Sequence, residues 1–399
     1  MAERGLRAAI VGGGIAGLSA ALALRNRGID VTVFERATKL GEVGAGLALY
    51  PNSLRQLERL GLKEALARAG ARLGPGSEYY RSDGTVVGPI VTSDSQGWNG
   101  FYGMHRADLL NILANELPAD VVHTGHHCIR LEQRADAVEL YFGNGRTFEA
   151  DVAIAADGIH STLQGSVVEP SLPEYSGVRA YRGVIPRERL PHWRPEVHLV
   201  WMGEGKHFMV YPLRAGTLLN YVGFVPTADQ TVESWSAVGD RDELAAAFVG
   251  WDSRVTDLLD RVDSCFWWGL YDRKPLRTWT NQRIVLLGDA AHPMLPHLGQ
   301  GANQAIEDGV ALAVFLEGVR ASDVEATLRH YAEFRRARTD TVQSEARRNG
   351  LRYDSKYADL AKRDEEIVEM AKFRRGLYDY DVEEAARSAK PTRAAPSEC

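Results

Sequence analysis

The chain has 399 residues, 45% of them hydrophobic and 25% charged, with a formal net charge of −6. That size implies two or three structural units with sizeable cores, and the acidic balance excludes a general nucleic-acid binder while leaving room for an anionic small ligand held by local cations. Three scattered cysteines, Cys128, Cys265 and Cys399, exclude a CxxC redox pair and a zinc site, so no metal is expected, and they suit a reducing cytoplasm.

The first apolar run, Ala8 to Val11, is too short to span a bilayer and reads as a buried strand; no membrane association is expected. A Gly-rich turn follows at Gly12–Gly17. A helix is predicted over Leu18–Arg27, stopped by Gly28, and Val31–Phe34 is a β-branched second strand. Together these make a right-handed βαβ unit. Gly12-Gly13-Gly14-Ile15-Ala16-Gly17 matches G-x-G-x-x-G at the strand–helix junction. Gly12 permits the tight turn, Gly14 lets the backbone approach a pyrophosphate, and Gly17 lets the helix pack on the strand. Glu35, at the end of the second strand, is placed to accept hydrogen bonds from a ribose. The unit therefore predicts dinucleotide binding without deciding between FAD and NAD.

Residues 71–100 read as short strands and loops, and a helix is expected at about 105–117. Val152–Ala156 is a buried strand ending in Asp157-Gly158. From about 175 to 275, alternating aromatic-rich runs (Val197–Trp201, His207–Tyr211, Leu218–Val225) separated by Gly-containing turns predict an antiparallel meander. A helical stretch at Asp242–Val262 interrupts it. Ile284–Leu287 is another buried strand, followed by Gly288-Asp289 and helices at about 302–317, 322–349 and 356–374. The polar, proline-containing end, 390–399, is expected to be disordered. This places a dinucleotide-binding domain over 1–70, 101–170 and 276–355. A mixed-sheet substrate domain takes 71–100 and 171–275, and a helical region 356–389.

Two later motifs favour FAD. Asp157-Gly158 and Gly288-Asp289-Ala290-Ala291-His292 each end a buried strand, where a carboxylate reaches a ribityl hydroxyl. Gly299-Gln300-Gly301-Ala302-Asn303 opens a helix whose N–H groups suit the negative charge of a reduced flavin.

In this order and spacing, the three motifs resemble the class A flavoprotein monooxygenases, with similarity from Ala8 to about Asp381. Leu286–Asp308 (LLGDAAHPMLPHLGQGANQAIED), Ser176–Pro186 and Leu377–Asp381 are similar to the salicylate, 3-hydroxybenzoate and 6-hydroxynicotinate hydroxylase branch. The resemblance implies an α/β fold: a Rossmann-like FAD domain, an interleaved antiparallel-sheet substrate domain and a helical C-terminal region. It implies hydroxylation of a phenol or aniline carboxylate with NADH or NADPH and O₂ through a flavin C4a-hydroperoxide, with or without decarboxylation, by a cytoplasmic monomer or homodimer. Gly14 and Ala16 would lie at the pyrophosphate, Glu35 at the ribose, Arg36 over the adenine, and Arg106 and Asp289 on FAD. Gly301, Ala302 and Asn303 would lie near the isoalloxazine.

On the substrate side, period-two alternation puts His207, Met209 and Tyr211 on one strand face. A phenol reacts better as phenolate, so a proton acceptor is needed, and His207 and Tyr211 suit that role or substrate orientation. His297 is the second candidate, beside Pro296. Arg182 is either a substrate-carboxylate ligand or a structural ion-pair partner. Two departures stand out: Gln164 replaces the arginine that usually follows Ser161, and Ala48 stands where hydroxynicotinate hydroxylases carry histidine. The alternatives are a flavin hydroxylase acting on a larger aromatic natural product and an FAD-dependent oxidase or reductase.

Overall fold

The computed structural model describes residues 5–41, 46–169, 171–227, 237–354 and 356–391. Strands Arg7–Val11, Asp30–Phe34, Val152–Ala155 and Ile284–Leu286 are largely buried and pair in parallel. Ile10 lies between Ile154 and Val33, and Ile154 lies beside Val285. They are the centre of a six-stranded sheet edged by Val122–His123 and Thr280–Asn281. Parallel pairing needs crossovers, and the first is the helix Ile15–Arg25, which packs on the helix Gly301–Leu316. The first helix starts at Ile15 rather than the expected Leu18. The last part of the glycine motif is therefore already helical, and its open N–H groups belong to the motif itself.

An eight-stranded sheet forms the second layer. Its 13-residue spine, Glu174–Pro186, pairs with Leu218–Pro226 on one side and Cys265–Asp272 on the other. Lys206–Leu213 and Leu199–Gly203 extend it. The meander expected here is antiparallel, but one pair is parallel: Leu199–Gly203 lies beside Glu78–Arg81, with Val200 opposite Tyr79. Glu78–Arg81 arrives from the distant 71–100 segment, so no hairpin dictates its direction. The helix expected over Asp242–Val262 is two helices, Arg241–Ala247 and Ser253–Leu259. Gly250 adopts φ +80°, and Asp252 caps the second helix by accepting from the Arg254 N–H at 2.9 Å.

Three helices, Val324–Tyr353, Leu360–Asp379 and Val382–Ala389, complete the chain. The first two run past their expected ends. In the second, the buried face is Arg363, Ile367, Met370, Arg374, Leu377 and Tyr378, at helical spacing. The segment expected to be disordered begins with an anchored residue. Lys390 Nζ donates to the carbonyls of Val314 and Glu317 at 2.8 and 2.7 Å, at the negative end of the helix Gly301–Leu316. Residues 392–399 lie outside the described residues.

Candidate active site

A cavity of about 590 Å³ is lined by residues of both large sheets. One part follows the glycine motif. Gly12 holds φ +113°, and a Cβ there would stand 2.2 Å from the Ala156 carbonyl oxygen. A Cβ on Gly17 would stand 1.9 Å from the Gly12 carbonyl oxygen, so Gly17 serves strand–helix packing and does not itself line the cavity. A Cβ on Gly14 would meet no protein atom within 4 Å, which leaves the backbone open where a pyrophosphate approaches.

Ala16, Glu35 and Arg36 line the same stretch. The Glu35 carboxylate braces the loop: Oε2 accepts from the Gly13 N–H at 2.7 Å and Oε1 from the Ala37 N–H at 2.8 Å. Each oxygen keeps a further lone pair for a ribose hydroxyl.

Asp157 and Asp289 line the cavity from two adjacent strand ends. Asp157 Oδ2 accepts from the Thr162 N–H at 2.9 Å, while buried Oδ1 has no protein partner. Burial raises the pKa of Asp289 against the opposing pull of Arg106 and His292. Burial lowers that of Arg106, with Asp289 opposing. Gln164 takes a structural place: its Nε2 donates to the Ala290 carbonyl at 2.9 Å, tying the Asp157 loop to the Asp289 loop.

The turn that opens the helix Gly301–Leu316 lies farther along, with Gly301 and Ala302 on the cavity wall. Asn303 is not on that wall. Its side chain accepts from the Tyr50 N–H at 2.9 Å and from the Ser53 hydroxyl, and donates to the Ala48 and Gly299 carbonyls. It braces the turn rather than presenting itself to a cofactor. A carboxylate network supports the same helix from behind. Arg335 Nη1 lies 2.8 Å from Glu307 Oε2 and Nε 2.8 Å from Asp308 Oδ1, and Asp308 Oδ2 accepts from the Gly288 N–H at 3.0 Å. Burial works to raise the pKa of both acids, but Arg338 and Arg335 around Glu307, and His292 and Arg335 around Asp308, hold both below the ordinary carboxylate range.

Arg182, Met209, Tyr211, Pro296 and His297 all line the remainder of the cavity. Arg182 stacks over Trp268, 4.1 Å from the ring centroid; burial and repulsion by Arg106 push its pKa down to about 10, against the opposing Tyr211. Burial raises the Tyr211 phenol well above its usual value, which keeps the proton on it and makes it a donor rather than a base. Burial and the neighbouring His207 push His297 down to about 3, with Asp354 opposing, so it is neutral at physiological pH; its Nδ1 has no protein partner.

His207 is not on the cavity wall. It shares a strand face with Met209 and Tyr211 but is fully buried behind three wall residues. Its ring centroid is 4.0 Å from that of Phe224, 5.1 Å from Tyr353 and 5.2 Å from His297, and its Nδ1 lies 2.8 Å from Asp354 Oδ1. The alternation gave its face; the cavity stops one rung short of it. Sequence reasoning missed His198, Tyr79, Tyr353 and Arg374, which also line the cavity. For Arg374 there was a signal: it occupies an apolar position in the run Ile367, Met370, Arg374, Leu377.

The αβ sheet with its glycine cradle, the two strand-end acids and the adjoining aromatic chamber define a flavin-dependent oxidoreductase. The comparisons sharpen that. Residues 6–346 match the FAD binding domain family, and the chain belongs to it, within the NAD(P)H-dependent flavoprotein aromatic hydroxylases. It is 40% identical over 354 residues to 3-amino-4-hydroxybenzoate 2-monooxygenase of Streptomyces cremeus, covering 87% of this chain and 88% of that protein. It is 34% identical over 379 residues to salicylate hydroxylase of Pseudomonas putida, covering 88% and 86%. The structure of a salicylate hydroxylase substrate complex matches 98% of this chain and 99% of that one, with a TM-score of 0.84 and 31% identity. The orphaned Asp157 oxygen and the open backbone at Gly14 fit FAD.

Proposed function

We propose that this protein hydroxylates a small aromatic acid bearing a ring hydroxyl or amino group, using NAD(P)H and O₂. The class is that named in its relatives: aminohydroxybenzoate, salicylate and hydroxynicotinate. The observation that carries this reading is the continuity of one cavity from the glycine cradle to the chamber at Tyr211 and His297.

FAD, when bound, supplies the redox chemistry that takes electrons from NAD(P)H and activates O₂. The cradle at Gly12, Gly14 and Ala16 would hold its pyrophosphate, Glu35 and Arg36 its adenosine, and Asp157, Asp289 and Arg106 its ribityl side. The N–H groups of Gly301 and Ala302, at the positive end of their helix, would stabilise negative charge on its ring. The chain's other residues orient the substrate and keep water out. Neutral His297 accepts a hydrogen bond from the ring hydroxyl, which gives that oxygen phenolate character; with a pKa of about 3 it is too weak a base to hold the proton outright. Tyr211 donates, and Met209 and Pro296 form apolar wall. Ala48 leaves the wall there without a basic group.

Among the described residues no helix is long and apolar enough to cross a membrane. The buried free thiols of Cys128 and Cys265 support a reducing cytoplasm as the setting.

The test is NADH and NADPH oxidation by FAD-loaded protein with salicylate, anthranilate, 3- and 4-hydroxybenzoate, 3-amino-4-hydroxybenzoate and 6-hydroxynicotinate. Strong stimulation by one acid, with a product carrying one added oxygen by mass and the carboxyl either kept or lost, is expected. Tight FAD binding with no stimulation by any of them would move the reading to a larger aromatic substrate.

A further inference from the structure

The chamber contains a cation without a counter-charge. Arg374 is 5% exposed and lines the cavity from the helix Leu360–Asp379. Among the described residues no carboxylate pairs with it. Its Nη2 donates to the Tyr353 hydroxyl at 2.9 Å, the Tyr353 hydroxyl lies 3.4 Å from the Tyr79 hydroxyl, and its Nε has no partner. Tyrosine hydroxyls solvate a guanidinium but do not neutralise it. A buried, unpaired ion is costly, and such groups persist where an anion completes them.

His198 faces the same chamber. It is 9% exposed, and neither ring nitrogen has a protein partner. Its ring stands edge-on to Tyr211 and Phe101, with centroids 5.4 and 5.7 Å apart. Burial and the nearby Arg374 charge push its pKa down to about 3. A neutral imidazole offers one donor and one acceptor. The chamber thus offers one bare cation and, beside it, one uncommitted polar ring, within aromatic walls. That set matches an aromatic ring bearing a carboxylate and a second polar substituent.

We propose that Arg374, with the Tyr353 and Tyr79 hydroxyls behind it, binds the carboxylate of the aromatic acid substrate, and that His198 hydrogen-bonds a polar substituent of the same ring. This rests on the function proposed above. It assigns the carboxylate to the helix Leu360–Asp379 rather than to Arg182, whose guanidinium is stacked on Trp268. It also gives that helix a part in specificity: neutral aromatics leave the cation unmet.

The experiment uses the FAD-loaded protein and the flavin absorbance change on ligand titration. The probes are the tightest-binding acid of the panel above and its primary amide. Wild type is expected to favour the acid strongly. Arg374→Gln is expected to weaken the acid on the order of 100-fold and the amide far less, because only the acid loses an ion pair. Arg374→Lys keeps the charge and should retain part of the preference. Arg182→Gln should leave the acid-to-amide ratio near that of wild type. FAD content and melting temperature, measured on every variant, identify any that fails to fold. Should Arg374→Gln not fold, the acid-to-amide ratio of Arg374→Lys and Arg182→Gln decides. A panel acid that binds wild type but keeps its full preference over the amide in Arg374→Gln (or, where that variant does not fold, in Arg374→Lys), or that loses it in Arg182→Gln instead, overturns the anchor while leaving the proposed function standing. If no panel acid binds wild type, both fall.

Discussion

Two arginines, both buried in this protein, have opposite surroundings. Arg335 lies behind the helix Gly301–Leu316, where Glu307 and Asp308 meet it at 2.8 Å each. Arg374 lies at the chamber, where it donates to the Tyr353 hydroxyl and, among the described residues, no acid pairs with it. The first pairing holds the flavin-side helix and, through Asp308 and the Gly288 N–H, the loop carrying Asp289. The second leaves charge available. Of these two buried charges, the one that braces the helix is met by acids, and among the described residues the one at the chamber is not.

The largest effect should come from Arg335→Met. It removes the cation shared by two buried carboxylates and leaves Glu307 to Arg338 and Asp308 to His292, and the loss should be about 3 kcal/mol by urea denaturation. Arg374→Met loses a hydrogen bond but also a buried unpaired charge, so its stability should stay within about 1 kcal/mol of wild type. Equal losses at both sites would show that Arg374 is structural too. The acid limb adds a check. Glu307 and Asp308 titrate below the ordinary carboxylate range in the folded protein, so their contribution is full above about pH 4 and lost as pH falls through their folded values. Wild type should lose this advantage over Arg335→Met below about pH 4.

Asp289→Asn comes next. Loss of a charged hydrogen-bond partner should weaken FAD on the order of 10- to 100-fold, read by fluorescence titration of apoprotein. The apoprotein should respond in the other direction. Asp289 is raised in the fold, so its ionisation costs stability above its unfolded value near 4, and that cost vanishes as pH falls below it. Asp289→Asn apoprotein should therefore be as stable as wild type or more so at pH 7, with the gap closing toward pH 4. A variant less stable at pH 7 would mean that the acid supports the fold rather than a ligand.

The sequence showed the flavin side more fully than the chamber, for a physical reason. The glycine motif, Glu35 and Asp289 act through backbone geometry and strand ends, which local spacing encodes. Arg374, His198 and Tyr79 come together only because Glu78–Arg81 pairs in parallel with Leu199–Gly203 and a helix from the C-terminal region packs beside them. No local pattern states that pairing. His207 shows how far periodicity reaches: it assigned the face correctly, and only the depth of the cavity, set by His297, Phe224 and Tyr353, decided that His297 rather than His207 stands on the wall.

Gln164 should give the smallest effect, and it separates two readings of one departure. By motif, glutamine stands where an arginine usually follows Ser161 and so lacks a charge suited to a nucleotide phosphate. In the fold, Gln164 is buried off the cavity wall and donates to the Ala290 carbonyl, next to Asp289. Gln164→Ala removes that donor and should cost about 1 kcal/mol of stability. Because the carbonyl adjoins Asp289, FAD should bind a few-fold more weakly on that account, about what 1 kcal/mol allows. The KM for NADH and for NADPH should stay unchanged in the FAD-saturated enzyme. A KM rise with FAD binding intact would place Gln164 in nucleotide recognition, and its bond to Ala290 would then be a resting contact that NAD(P)H displaces.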